Sequence, residues 1–161
     1  MKESFAFMIA VFVIFIYVLF AIFFIKSLQT SGSPLDDEAR YAIRQLLENP
    51  GNFDSCWYSP PRPPVVGIAF NGSPYVINTT QLYKCMQCAQ ENYTNFKMGI
   101  VSPDHDVLIK IYKYNPADND FTISSITIGS TTVGQVASTC KAYAIFPNGT
   151  RVLVVLTVSG G

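Results

Sequence analysis

Histidine, tryptophan and charge are all scarce in this chain. One His and one Trp occur in 161 residues, and only 14% of the residues are charged, with eleven basic side chains balancing eleven acidic ones. The formal net charge is +0, and no basic stripe or run of like charge appears, so the chain lacks the electrostatic footprint of a nucleic-acid binder. No G-x-S-x-G, Walker loop, G-x-G-x-x-G or H-E-x-x-H is present. The lone histidine, His105, lies in SPDHDV. Asp104 and Asp106 beside it would suit a metal or a raised pKa, but the stretch reads first as a solvated turn leading into a strand. The acidic run Asp36-Asp37-Glu38 reads as charge placed at a helix start rather than as paired catalytic carboxylates. The expectation is a protein that is not an enzyme and holds neither metal nor other cofactor. Internal repeats and low-complexity tracts are also lacking.

One long apolar run stands out against this. Phe5 to Ile25 (FAFMIAVFVIFIYVLFAIFFI) is 21 residues without a charge and holds seven of the twelve Phe. As a helix rising about 1.5 Å per residue it would span roughly 31 Å, close to the hydrocarbon thickness of a bilayer. It exceeds the apolar core of a cleaved signal peptide, about 7–15 residues. Residues 1–30 are therefore expected to form a membrane anchor, with Phe5, Phe12, Phe15, Phe20 and Ile25 meeting lipid. Lys2 and Lys26 balance and do not orient it.

All four cysteines, Cys56, Cys85, Cys88 and Cys140, follow that run. So do four Asn-x-Ser/Thr sequons, at Asn71, Asn78, Asn92 and Asn148, although Pro74 follows the first. An even cysteine count and sequons in a small domain suit an oxidising exterior. The expected layout is a single-pass cell-membrane protein with residues 31–161 outside.

Residues 34–48 (PLDDEARYAIRQLLE) predict an amphipathic helix. Pro34 suits its first position, and Leu35, Ala39, Ala42, Ile43, Leu46 and Leu47 recur at helical spacing. Asn49-Pro50-Gly51 ends it. In SPPRPP, Pro60, Pro61, Pro63 and Pro64 impose a stiff extended path. With Trp57 and Tyr58 that loop is a candidate contact surface, or a rigid connection. VVGIAF (65–70) reads as a strand, and 79–98 as a helix in two pieces, capped by Asn78 or Thr79 and stopped at Gly99. The period then changes to two in 107–114, 121–128, 139–146 and 151–158, the last two flanking the hairpin signal Pro147-Asn148-Gly149-Thr150. This is an α+β pattern: helices packed on an antiparallel sheet.

Cys85 and Cys88 form a C-x-x-C pair. A redox centre would place the pair at a helix start, where the dipole stabilises a thiolate, yet Cys85 falls inside the predicted helix. A zinc site would want a second close pair, and Cys56 and Cys140 are isolated. The reading preferred is two long-range bridges, from Cys85 and Cys88 to Cys56 and Cys140 in either order.

Several stretches resemble archaeal type IV pilin-like surface proteins, the group with class III signals that includes pseudopilin-like subunits. They are QLLENPGNFDSCW (45–57), VVGIAF, INTTQLYKCMQCAQENYTNFKMGI followed by HDVLIKI, and AYAIFPNGTRVLVVLTV. The resemblance implies a structural or accessory surface subunit that associates with its own kind, or with related subunits, through the N-terminal helix, so that residues 1–30 would be the core of an extracellular filament in place of a membrane anchor. The chain departs from the family in having only MKES before the apolar run and no acid within it. Two other functions fit the same residues: a monomeric anchored binding or adhesion ectodomain, and an extracellular thiol oxidoreductase using Cys85 and Cys88.

Overall fold

The computed structural model describes residues 12–22, 33–58, 62–131 and 134–160, with only the backbone described at 122–125. The chain divides into two compact units, Met1–Ser33 and Pro34–Gly161.

In the first unit, residues 12–22 form a helix, α1, with all its side chains exposed. Eleven residues rise about 16 Å, roughly half of a bilayer's hydrocarbon core. Among the described residues no helix is long and apolar enough to cross a membrane. This corrects the expected membrane-spanning or filament-core helix over Phe5–Ile25. The expectation came from residue type along the chain, whereas the described helix covers residues 12–22 alone. Phe12, Phe15 and Phe20 lie on α1, while Phe5 and Ile25 lie outside the described residues.

The second unit is an α+β domain. Helix α2 (Pro34–Glu48) buries Leu35, Ala39, Ala42, Ile43, Leu46 and Leu47. These are the six positions whose spacing predicts one apolar face, with Asp36 and Asp37 in the first turn. Helix α3 (Thr79–Glu91) starts at Asn78, whose side chain accepts the Thr80 and Gln81 backbone N–H groups at 3.0 and 3.3 Å. Helix α4 (Tyr93–Met98) is capped in the same way by Asn92, which accepts from Asn95 N–H at 3.4 Å. A short 3₁₀ turn covers Asp54–Trp57.

Among the described residues six strands form one sheet in the order β1-β2-β5-β6-β3-β4. They are β1 (Ala69–Phe70), β2 (Ser73–Ile77), β3 (His105–Asn115), β4 (Asp120–Gly129), β5 (Val136–Ile145) and β6 (Arg151–Gly160). The expected antiparallel sheet is in fact mixed, because β2 runs parallel to β5 through Val76↔Ile145. Hairpin signals report only strands adjacent in sequence. Two helices and two strands separate β2 from β5, long enough for a parallel crossover. VVGIAF likewise contributes only Ala69–Phe70 to a strand, with Val65 in an isolated bridge to Asn52.

The long strands separate their two faces by alternation. Val107, Ile109 and Ile111 on β3 and Val152, Val154, Leu156 and Val158 on β6 are fully buried under the helices. α2 packs over β5, β6 and β2, α3 over β4, and α4 over β3. The strands enter the helical layer through a close backbone crossing. Gly51 (φ 70°) and Gly67 approach so tightly that a Cβ on Gly51 would lie 2.2 Å from the Gly67 carbonyl oxygen. Here glycine serves two ends: a left-handed φ that turns the chain beyond α2, and the space for the close approach of Gly67.

Candidate functional site

The cysteines divide unevenly. Cys56 and Cys88 form a disulfide with Cα atoms 5.9 Å apart, whereas Cys85 and Cys140 carry free thiols. One bridge therefore stands where two were expected. Spacing on α3 turns both Cys85 and Cys88 inward, but only Cys88 meets the 3₁₀ turn that carries Cys56. Cys85 is wholly buried in the core, and burial pushes its thiol well above the ordinary range. The neutral form is the one that packs there. Cys140 sits on β5, partly buried against the same core.

Around the bridge two asparagines converge on one atom. The Cys56 carbonyl oxygen accepts from Asn95 Nδ2 at 2.8 Å and from Asn92 Nδ2 at 3.0 Å. Asn95 is buried, and its Oδ1 has no hydrogen-bond partner among the described residues. Of the sequon asparagines, Asn92 thus commits its amide nitrogen inside the fold, the atom a glycan would need. Asn78 uses its oxygen as a helix cap. Asn148 is exposed in the β5–β6 turn, where its oxygen accepts from Thr150 N–H at 3.0 Å. Asn71 is exposed in the β1–β2 turn.

His105 is not the solvated turn residue its neighbours suggest. It begins β3, and its Nδ1 donates to Glu38 Oε2 on α2, while the Ser102 backbone N–H donates to Glu38 Oε1. Burial alone would raise the Glu38 carboxyl, but the Ser102 and His105 hydrogen bonds and the attraction of His105 outweigh it, and the net shift is downward. Asp36 takes a hydrogen bond from Ser138 Oγ on β5. The acidic start of α2 therefore docks the helix onto β5 and the entrance of β3, in addition to favouring the helix end. On the far side of His105, Asp106 receives Tyr93 Oη at 3.1 Å and faces Lys97 Nζ at 3.4 Å. Among the described residues no group of His, Cys, Asp or Glu has the arrangement of a metal site.

Of the contact residues expected near the proline loop, Trp57 and Tyr58 are exposed, and Trp57 Nε1 donates to Glu91 at 2.7 Å. Pro63 is exposed, but Pro64 is buried; Pro60 and Pro61 lie outside the described residues.

One further surface feature was not visible in the sequence. On the open face of the sheet, Tyr75, Tyr114, Asn119, Phe121, Tyr143 and Arg151 line a groove of about 550 Å³. The Phe121 ring lies 5.4 Å from Tyr114 and 5.5 Å from Tyr143, tilted to both. Tyr143 is 69% exposed. Two of the rings are held at their hydroxyls: Tyr114 Oη donates to Asn119 at 2.6 Å, and Tyr75 Oη to Glu48 at 3.0 Å. That bond to the Glu48 carboxylate raises the Tyr75 phenol. Tyr75 also has φ 63°, a left-handed backbone that a bulky residue adopts only when its surroundings hold it there. Period-two alternation places Tyr114 and Tyr143 on the outer face. It does not bring β2, β5 and the β3–β4 turn together.

Compared with known proteins, the chain matches no family model, no curated protein and no solved structure.

Proposed function

We propose that the Pro34–Gly161 domain is a non-enzymatic exterior module, a structural or accessory subunit of a cell-surface assembly of the pilin-like kind. The observation that carries this reading is the Cys56–Cys88 bridge, closing a loop of sequence separation 32 in a domain whose Asn148 turn is open to modification. Such a bridge persists in oxidising compartments and is uncommon where thiols are kept reduced. The aromatic groove supports a binding role over a catalytic one, because it offers rings and a cation rather than a nucleophile with an adjacent base. A thiol oxidoreductase draws no support from a C-x-x-C pair whose first thiol is sealed in the core and whose second is bonded elsewhere.

The test is thiol mapping on protein taken from intact cells. Alkylation before lysis, followed by non-reducing digestion, should return the Cys56 and Cys88 peptides linked, with mass added at Asn148 by a glycan. Alkylation of both Cys56 and Cys88 without reductant would overturn the exterior assignment.

A further inference from the structure

We propose that the aromatic groove on the open face of the sheet is a binding site for a neutral saccharide, whose sugar rings stack on the aromatic side chains that line it. The proposal deepens the exterior-module reading and rests on it for where such a ligand is met, though not for the site itself.

Tyr75, Tyr114, Phe121 and Tyr143 line a cavity of about 550 Å³, within the roughly 300–1,000 Å³ of small-ligand sites. The Phe121 ring is inclined by 59° to Tyr114 and by 42° to Tyr143, so the three form a bent cradle and not a flat wall. Their exposed faces keep apolar area that a ligand can cover. The face of an aromatic ring is negative. A sugar ring carries weakly positive C–H bonds on its faces and hydroxyls around its edge. Its face can therefore lie on an aromatic face, removing water from both without stranding a hydroxyl.

The polar side chains beside the rings suit the edge of such a ligand. Asn119 accepts the Tyr114 hydroxyl at its Oδ1, at 2.6 Å, which leaves Nδ2 to donate. Arg151 is exposed and forms no ion pair among the described residues. Its planar fork of N–H groups can reach two neighbouring hydroxyl oxygens at once. A wholly apolar ligand would cover these donors and give them no acceptor, which is costly. An anion is disfavoured from the other side. Asp118 and Asp120, both exposed, flank Asn119 in the chain and offset the single cation Arg151. A ligand without charge fits that balance.

The site is also held in shape. Tyr75 Oη donates to Glu48 at 3.0 Å and Tyr114 Oη to Asn119, which fixes two of the four rings before any ligand arrives. Among the described residues, the non-glycine positions with a left-handed backbone are Tyr75 (φ 63°) and Asn119 (φ 51°), and both line the groove. Asparagine adopts that region readily, but tyrosine does so at a cost, and such strain gathers where a fold aims side chains at a ligand.

The experiment titrates cellohexaose, maltohexaose, mannohexaose and chitohexaose separately into isotope-labelled full-length protein and follows amide shifts. Saturable shifts are expected with at least one of them, centred on Tyr75, Asn119, Phe121 and Tyr143, with half-saturation on the order of 1 mM for so open a site. Tyr143→Ala should weaken binding at least tenfold and Arg151→Ala at least threefold, with the rest of the spectrum unchanged. Tyr83→Ala, which removes a similarly exposed ring on α3, should leave binding as it was. Absence of groove shifts with all four sugars at tens of millimolar would overturn the proposal, as would binding that Tyr143→Ala does not weaken. Tighter binding of hexagalacturonate would overturn it by reversing the charge argument. Groove shifts from a proline decamer and from none of the sugars would overturn it by marking a peptide surface. Failure of all four sugars alongside a linked Cys56–Cys88 pair removes the saccharide site and leaves the exterior reading. Saccharide binding by a chain whose Cys56 and Cys88 are free in cells removes the exterior reading and leaves the site.

Discussion

The two faces of the sheet use the same strands for opposite purposes. Toward the helices, β3 and β6 present Val, Ile and Leu with no exposed surface, and α2 covers them with six apolar residues. Toward the outside, the intervening residues of the same strands are mixed, with Lys110, Tyr112, Tyr114 and Thr157 among Leu108, Leu153 and Val155, and Tyr143 on β5 stands 69% exposed beside Phe121. Alternation with period two makes both surfaces from one sequence. Stability resides on the covered face, because apolar area is removed from water there. The open face leaves large rings in water and so retains area that only a partner can bury.

The sharpest way to separate the faces is truncation on each. Leu156→Ala, in the middle of β6 under the helices, should lose about 2–5 kcal/mol in denaturant unfolding, through lost transfer energy and the cavity left behind. The staple belongs to the covered side. Replacing both Cys56 and Cys88 with Ser releases a loop of sequence separation 32 and should lose about 3–4 kcal/mol on the chain-entropy estimate. Replacing Cys85, which is bonded to nothing, leaves the bridge intact and should cost only its buried packing. Asn95→Ala should lose about 1–3 kcal/mol, since the buried Cys56 carbonyl keeps only the Asn92 partner.

Acid should act on the docking of α2. Glu38 has a folded pKa below its ordinary 4.5, so its contribution is fully present above that value and is lost as pH falls through the folded pKa. Thermal melts of the parent should therefore drop below about pH 4.5 more steeply than those of Glu38→Gln, which is less stable at neutral pH and flatter in acid. Equal slopes would remove Glu38 from the account. The smallest effect belongs to the open face. Tyr143→Ala gives up one tilted ring contact and should shift stability by no more than about 1 kcal/mol. A loss as large as that of Leu156→Ala would show that the two faces are not divided in this way.

Local signals marked the elements of the domain closely. The 3.6-residue period over 34–48, the Asn78 and Asn92 caps, the four period-two runs and the Pro-Asn-Gly-Thr turn each act over a few residues, and each lies where that short-range chemistry puts it. The apolar run before the domain shows the limit of such reading. Residue type promised a span, but only residues 12–22 of it are described as helix, and no described helix has the length to cross a membrane.

The sequence by itself determined the inward face of α2, the starts of α2 and α3 and the four long strands, because those depend on backbone preference and on spacing along the chain, whereas the strand expected over 65–70 shrank to Ala69–Phe70. Only the tertiary structure decided which distant partners meet. It chose Cys56 for Cys88 and left Cys85 alone, and it brought His105 to Glu38 across a separation of 67 residues. It ran β2 parallel to β5 and so gathered Tyr75, Tyr114, Phe121 and Tyr143 into one groove. These pairings have no local cause. They follow from the one arrangement that buries the inner faces of sheet and helices together, and the contacts on the open face inherit their positions from it.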